Sequence, residues 1–174
     1  LEVITIQDCG GSVRALERGV EIAQKLVEDA SKVEREPMDL GDLLLGTNCG
    51  GSDATSGLAA NPVIGVVSDK VVAAGGTVML GETTELIGTE DILASRAASP
   101  EVADDIYKIV HGLEQSFVEA GVDVRGANPS PGNMKGGLST LEEKALGGIS
   151  KGGTTPITQV VPYGVRPTES GLTI

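Results

Sequence analysis

Aromatic side chains are nearly missing, with two Tyr, one Phe and no Trp among 174 residues. A base-stacking surface has nothing to be built from, and the core must come from Val, Ile, Leu and Ala, whose volumes suit a helix-covered sheet. Two Cys make no disulfide framework, and one His makes no His-rich zinc site. Basic side chains are outnumbered 13 to 25, a formal charge of −12. That balance repels phosphate backbones and anionic lipid, so neither nucleic acid nor membrane is an expected partner. No apolar run reaches the roughly 18 to 20 residues that cross a bilayer, and the first residues lack a signal-peptide pattern. Together with the sparse cysteines this predicts a cytoplasmic protein. What remains, 40% hydrophobic residues, suffices for one core of ordinary size. A single domain over residues 1–174 is expected. The chain starts on a strand-like run without an initiator Met and stops at Gly171-Leu172-Thr173-Ile174 without a cap, which reads as a fragment of something longer.

Elements alternate along the chain. Val3-Ile4-Thr5-Ile6 reads as a strand, and the helical spacing from Ser12 to about Val33 as a helix. Leu43 to Thr47 and Thr55 to Ala74, with Pro62 near the helix start, repeat the plan. Thr77-Val78-Met79-Leu80 is the third strand, and Glu90 to Ala97 a short helix. Ser99-Pro100-Glu101 sets a cap, a helix-starting proline and an acid before a helix to about Ala120. Residues 122–138, dense in Gly, Asn, Pro and Ser, read as an ordered functional loop. A helix from Ser139 to Leu146 and a strand from Ile157 to Val161 follow. This order predicts an α/β, Rossmann-like layered domain whose parallel or mixed sheet is flanked by helices on both faces.

One turn is used twice. Asp8-Cys9-Gly10-Gly11-Ser12 and Asn48-Cys49-Gly50-Gly51-Ser52 each follow an expected strand and open an expected helix. Ligands collect beyond the carboxyl ends of parallel strands, and paired glycines bring backbone N–H groups close to an anion. A thiol there feels the positive helix end and becomes a competent ligand or nucleophile; alternatively, both Cys are small buried hydrophobes beside tight turns. Lys135-Gly136-Gly137 and Lys151-Gly152-Gly153 also recur, either as carboxylate or phosphate clamps or as surface lysines beside loop glycines. Glu82-Thr83-Thr84-Glu85 leaves the third strand near the same rim, and its carboxylates fit a metal site, a general base or a simple helix cap. His111 reads as a structural or surface residue, and the Gly runs match neither common nucleotide-binding fingerprint.

Five segments taken together are more specific than any one turn. Thr47-Asn48-Cys49-Gly50-Gly51-Ser52-Asp53, Ser56-Gly57 with Ala60-Asn61-Pro62, Gly81-Glu82-Thr83-Thr84-Glu85, Asn128-Pro129-Ser130-Pro131-Gly132-Asn133 with Lys135-Gly136-Gly137, and Glu143-Lys144-Ala145-Leu146-Gly147 with Lys151-Gly152-Gly153 resemble the altronate and galactarate dehydratase family. The beta subunit of sulfolactate sulfo-lyase resembles the same superfamily. The resemblance implies a central domain of a longer enzyme, ferrous iron (Fe2+), and elimination of water from a small anionic sugar acid to give a 2-keto-3-deoxy acid. Sulfite elimination from sulfolactate is the alternative leaving-group chemistry. A non-catalytic anion-binding or assembly module is the reading from another class. Carried over position by position, Cys49 and Glu85 are the metal ligands, and Lys151 or Glu82 is the base. Lys135 and the N–H groups of Gly50 and Gly51 bind the substrate carboxylate, with Ser52, Asp53 and Asn133 beside them. Relatives usually carry another residue at the position of Cys9. The fragment alone is expected to fold without turnover, and to form a homo-oligomer or to contact missing domains through the apolar surface it exposes.

Overall fold

The computed structural model describes residues 2–174, which divide into a first unit ending at Met38 and a second, Asp39–Ile174. The first contains helix α1 (Ser12–Ser31). Val3–Ile6, expected as a strand, is not one: the Cys9 and Gly11 N–H groups turn back to the carbonyls of Thr5 and Ile6 at 3.1 and 3.0 Å. β-Branched residues favour a strand only where a partner strand and a face to bury exist, and this segment has neither. The first Cys-Gly-Gly-Ser turn therefore opens a helix but follows no strand.

The second unit is built on strands β1 (Leu44–Thr47), β2 (Thr77–Leu80), β3 (Ile157–Gln159) and β4 (Gly171–Thr173). All pair in parallel, in the order β1-β2-β4-β3. The α/β class with a parallel sheet holds, and the mixed sheet drops out. Strand β4 has no counterpart in the sequence reading, yet it lies between β2 and β3 with Leu172 fully buried. On β1 and β2 the side chains alternate: Leu45, Thr47, Val78 and Leu80 point inward, while Leu44 and Gly46 are exposed and Thr77 and Met79 half-buried. The covering expected on both faces is therefore complete on only one face of these two strands.

Six helices follow β1 in the chain: α2 (Asn61–Ala73), α3 (Glu90–Ala94), α4 (Pro100–Glu119), α5 (Val124–Ala127), α6 (Pro131–Lys135) and α7 (Leu141–Ile149). Helix α4 begins as its sequence signals require, with the Ser99 hydroxyl accepting from the Val102 N–H at 3.3 Å and Pro100 at the first position. Residues 122–138 are not one continuous loop, because α5 and α6 lie within them. Asp123 caps the first, and a reciprocal Ser130–Asn133 capping box starts the second. Local caps here replace the apolar periodicity that would have announced a helix.

Helix α2 buries its small and polar side. Asn61, Gly65 and Ser68 face inward, followed by Val71 near the carboxyl end, while Val63, Val66 and Val67 are 65%, 56% and 46% exposed. The reason is close approach of the segment after α7. A Cβ at Gly65 would stand 2.3 Å from the Ser150 carbonyl oxygen. The Ser68 hydroxyl donates to the Lys151 carbonyl at 2.6 Å, and Asp69 accepts from the Thr154 N–H at 2.8 Å. Arg96 closes the segment from the other side, donating to the carbonyls of Gly152 and Thr155 at 3.2 and 2.8 Å. Gly65→Ala is expected to destabilise by about 1–3 kcal/mol, since the clash is with backbone. Urea unfolding of the variant checks this, and an unchanged midpoint would show that the segment is free to move.

Candidate active site

Strand β1 ends at Thr47 and strand β2 at Leu80, so Cys49 and Glu82 each leave the sheet two residues past a carboxyl end. The two meet directly, because the Cys49 N–H donates to Glu82 Oε2 and also to Asn48 Oδ1. Glu82 holds the left-handed backbone region at φ 64°, the one non-glycine residue with positive φ among the described residues. A non-glycine residue there stores roughly 1–3 kcal/mol of strain and persists only where the surroundings over-determine it. Glu85 follows on a short 3-10 turn, Thr83–Glu85, and is 7% exposed. Cys49 Sγ and one carboxylate oxygen each from Glu82 and Glu85 lie within 4.8 Å of one another.

Two buried lysines converge on the same carboxylates. Lys144, on α7, places Nζ 2.8 Å from Glu85 Oε1. Its other contacts are the side-chain carbonyls of Asn128 at 3.0 Å and Asn133 at 3.3 Å. Lys151, 4% exposed, sits 3.9 Å from Glu82 Oε2 and 4.0 Å from Glu85 Oε2, beyond hydrogen-bonding distance of either. The ammonium donors of Lys144 are thus engaged, and those of Lys151 make no hydrogen bond among the described residues.

Cys49, Glu82, Glu85 and Lys151, singled out from far-apart segments, are therefore brought together. Ser52 joins them with Oγ 3.2 Å from Cys49 Sγ. The N–H groups of Gly50 and Gly51 donate to no protein acceptor among the described residues. Asn133 is engaged as a link instead: its Nδ2 donates to the Ser52 carbonyl at 2.8 Å, and its Oδ1 accepts from Ser130. Asp53 is exposed and turns its Oδ1 to the Thr55 and Ser56 donors, which hold its carboxyl below the usual carboxylate range, the Thr55 hydroxyl most of all. Lys135 is exposed and forms no ion pair with the cluster. Asp53 and Lys144 line a cleft of about 250 Å³ together with Ser52, Asn61 and Gly147.

Lys144 carries no role in the sequence reading. Its signal is helical spacing, since Leu141, Lys144, Ala145 and Gly148 are the buried side of α7. His111 is exposed, with its ring 5.8 Å from that of Tyr107.

A family model described as D-galactarate/altronate dehydratase, C-terminal, matches residues 40–174. The chain belongs to this family. It is 42% identical over 159 residues to an altronate dehydratase of Bacillus subtilis (strain 168), covering 91% of this chain and 32% of that protein. It is 40% identical over 153 residues to a galactarate dehydratase (L-threo-forming) of Escherichia coli (strain K12), covering 88% and 29%. A (2R)-sulfolactate sulfo-lyase subunit beta of Chromohalobacter salexigens is 38% identical over 157 residues, covering 86% and 39%. The chain thus spans about a third of the length of these dehydratase-family relatives. The family match begins at residue 40, beside the boundary between Met38 and Asp39 that separates the two units.

Two stability measurements test the geometry. Glu85→Gln leaves two buried lysines beside the single Glu82 carboxylate, and a loss of about 3 kcal/mol is expected in urea unfolding. A loss below about 0.5 kcal/mol would show that Lys144 needs no counter-charge. Glu82→Gly is expected to be about 1 kcal/mol more stable than Glu82→Ala, because only glycine relieves the left-handed conformation. Equal unfolding midpoints would mean that the strain is absent.

Proposed function

We propose that these residues form the elimination centre of a sugar-acid dehydratase of the altronate or galactarate type. The observation that carries the reading is the convergence of Cys49, Glu82, Glu85 and Lys151 on one point beyond β1 and β2. The reaction has two difficulties. Taking the proton from the carbon beside a carboxylate builds negative charge on an already anionic acid, and the hydroxyl on the next carbon leaves poorly at neutral pH.

Glu82 and Lys151, 3.9 Å apart, are suited to share the proton work. One takes the C2 proton, whose bonding pair becomes the new double bond. The C3–O bond breaks, and the departing oxygen takes a proton to leave as water. The resulting enol rearranges to the 2-keto-3-deoxy acid. Either Glu82 or Lys151 fills the role of base. The unspent N–H groups of Gly50 and Gly51 and the Ser52 hydroxyl are in position to receive the substrate carboxylate.

A divalent metal fits the donor set. One thiol sulfur and two carboxylate oxygens combine a soft ligand with hard ones, a set that ferrous iron accepts, and three protein ligands leave positions for substrate. The Lys151 ammonium stands too far from Glu82 and Glu85 to commit their lone pairs. When bound, the metal supplies Lewis-acid charge for the carboxylate and the leaving hydroxyl. Cys49 and Glu85 would hold it, with Glu82 as a third ligand where Lys151 is the base.

The similarity to a sulfo-lyase subunit supports a second leaving group, sulfite, because the same proton removal serves both. Oxygen-free assays on a polypeptide of the relatives' full length, supplied with altronate, galactarate or sulfolactate, separate the two. Keto-acid formation from a sugar acid is expected, and sulfite release alone would reassign the substrate. Glu82→Gln and Lys151→Met should each lower kcat by about 10²–10⁴-fold, and Cys49→Ala should lower bound iron. Wild-type activity together with unchanged metal content in Cys49→Ala would end the metal assignment. The 174 residues alone are expected to fold without turnover.

A further inference from the structure

Lys144 has a place in this site that differs from that of Lys151. An ammonium has three protons and no lone pair to accept with. Those of Lys144 face Glu85 Oε1, Asn128 Oδ1 and Asn133 Oδ1 at 2.8, 3.0 and 3.3 Å, and the residue is 8% exposed. No donor is left for a substrate, so this lysine cannot join the chemistry without giving up a contact that keeps its charge solvated. Its partners come from three segments: the turn after β2, the residue following α5, and α6.

The contacts extend further on one side. Asn133 uses Oδ1 toward Lys144 and the Ser130 cap, and Nδ2 toward the Ser52 carbonyl at 2.8 Å. The Ser52 hydroxyl in turn stands 3.2 Å from Cys49 Sγ. One buried cation therefore touches the acid side of the cluster directly and the thiol side through a single amide. The turn is otherwise held at its start by the Cys49 N–H on Glu82 and just past its end by the Ala54 N–H on the Gly136 carbonyl at 3.0 Å, while a Cβ added at Gly50 or Gly51 would meet nothing within 4 Å.

We propose that Lys144 is the positioning residue of this site, a fixed cation that sets Glu85 directly and the Cys49–Ser52 turn through Asn133. The geometry stands without a metal; its consequence for metal affinity rests on the reading above. Removing the cation loosens the turn on its Ser52 side and exposes the half-buried thiol further. Removing only the amide donor of Asn133 loosens the same side while leaving Lys144 and Glu85 paired.

The test uses the 174-residue chain in a Cys9→Ser background, with iodoacetamide alkylation of Cys49 read by peptide mass under conditions where circular dichroism shows the protein folded. Lys144→Met and Asn133→Asp should each raise the alkylation rate about threefold or more, and the double variant should add little to either single change. Asn133→Asp keeps an acceptor for Lys144 and removes the donor to Ser52, so it carries the test alone if Lys144→Met fails to fold. Unchanged alkylation in a folded variant overturns the proposal. A Co2+ titration followed by thiolate-to-metal absorption separates this outcome from the metal reading. With wild-type binding present, both variants should bind roughly 10–100-fold more weakly. Faster alkylation combined with no wild-type Co2+ binding would leave the positioning role standing and remove the metal ligands.

Discussion

The contact on which the site depends is the buried pair between Lys144 and Glu85. Withdrawing an ammonium and a carboxylate from water costs several kcal/mol per ion, and their mutual attraction repays this only when the remaining donors and acceptors are also met. Asn128 and Asn133 meet them on the lysine side. Because an apolar pair of similar volume would serve stability as well or better, the reason to keep these charges is direction: each partner is held at one angle to the others. An acidic chain gains from this too. With a formal charge of −12, a site for an anionic substrate needs local positive charge, and two of its lysines are turned inward to supply it.

A second constraint follows from placing Lys151 beside those carboxylates. Its backbone has to pass very close to α2, and the inner side of that helix is small for this reason. Asn61, Gly65 and Ser68 are spaced to meet the carbonyls of Gly147, Ser150 and Lys151 in turn. Bulky valines on that side would hold the segment away and withdraw the lysine from Glu82. Val63, Val66 and Val67 stand on the outer side, exposed, and only near the carboxyl end do Val71 and Val72 pack on the core. The usual link between hydrophobicity and burial is thus inverted over the first turns of a helix whose task there is to support backbone.

This inversion explains much of what was and was not legible in the sequence. Long periodic segments such as α4, with Ser99 and Pro100 at its start, announce themselves because cap, proline and apolar spacing agree. The inward side of α2 does not, since apolar spacing chooses Val63, Val66 and Val67. Strand β4 is three residues long and begins with a glycine, so propensity marks it weakly, yet its neighbours on both sides bury Leu172 completely. Val3–Ile6 is the converse, with strong β propensity and no strand to pair with. In the site, Cys49, Glu82, Glu85 and Lys151 were legible because their types are chemically informative beside glycine turns. Lys144 was not, because a lysine within a helix ordinarily reads as a solvated surface group. Asn133 was singled out for the substrate, and its amide is engaged with Ser130, Lys144 and Ser52 instead.

The two lysines divide the work according to what each has left to give. A cation whose protons are all engaged can hold geometry but cannot exchange a proton without breaking the contacts that make its burial tolerable. A cation close to two carboxylates but bonded to neither retains its donors, and so stays available to a ligand that enters between them. Exchanging the roles would fail on both counts: among the described residues Lys151 bonds to no amide carbonyl that could satisfy a permanent clamp, and the carboxylate that Lys144 faces is already bonded to it. The strained Glu82 fits the same division. A left-handed backbone at the carboxyl end of β2 turns its carboxylate toward the Cys49 N–H, across the gap between the two strand ends. That gap is bounded by groups that still have chemistry to offer, while those that fix its shape have none left.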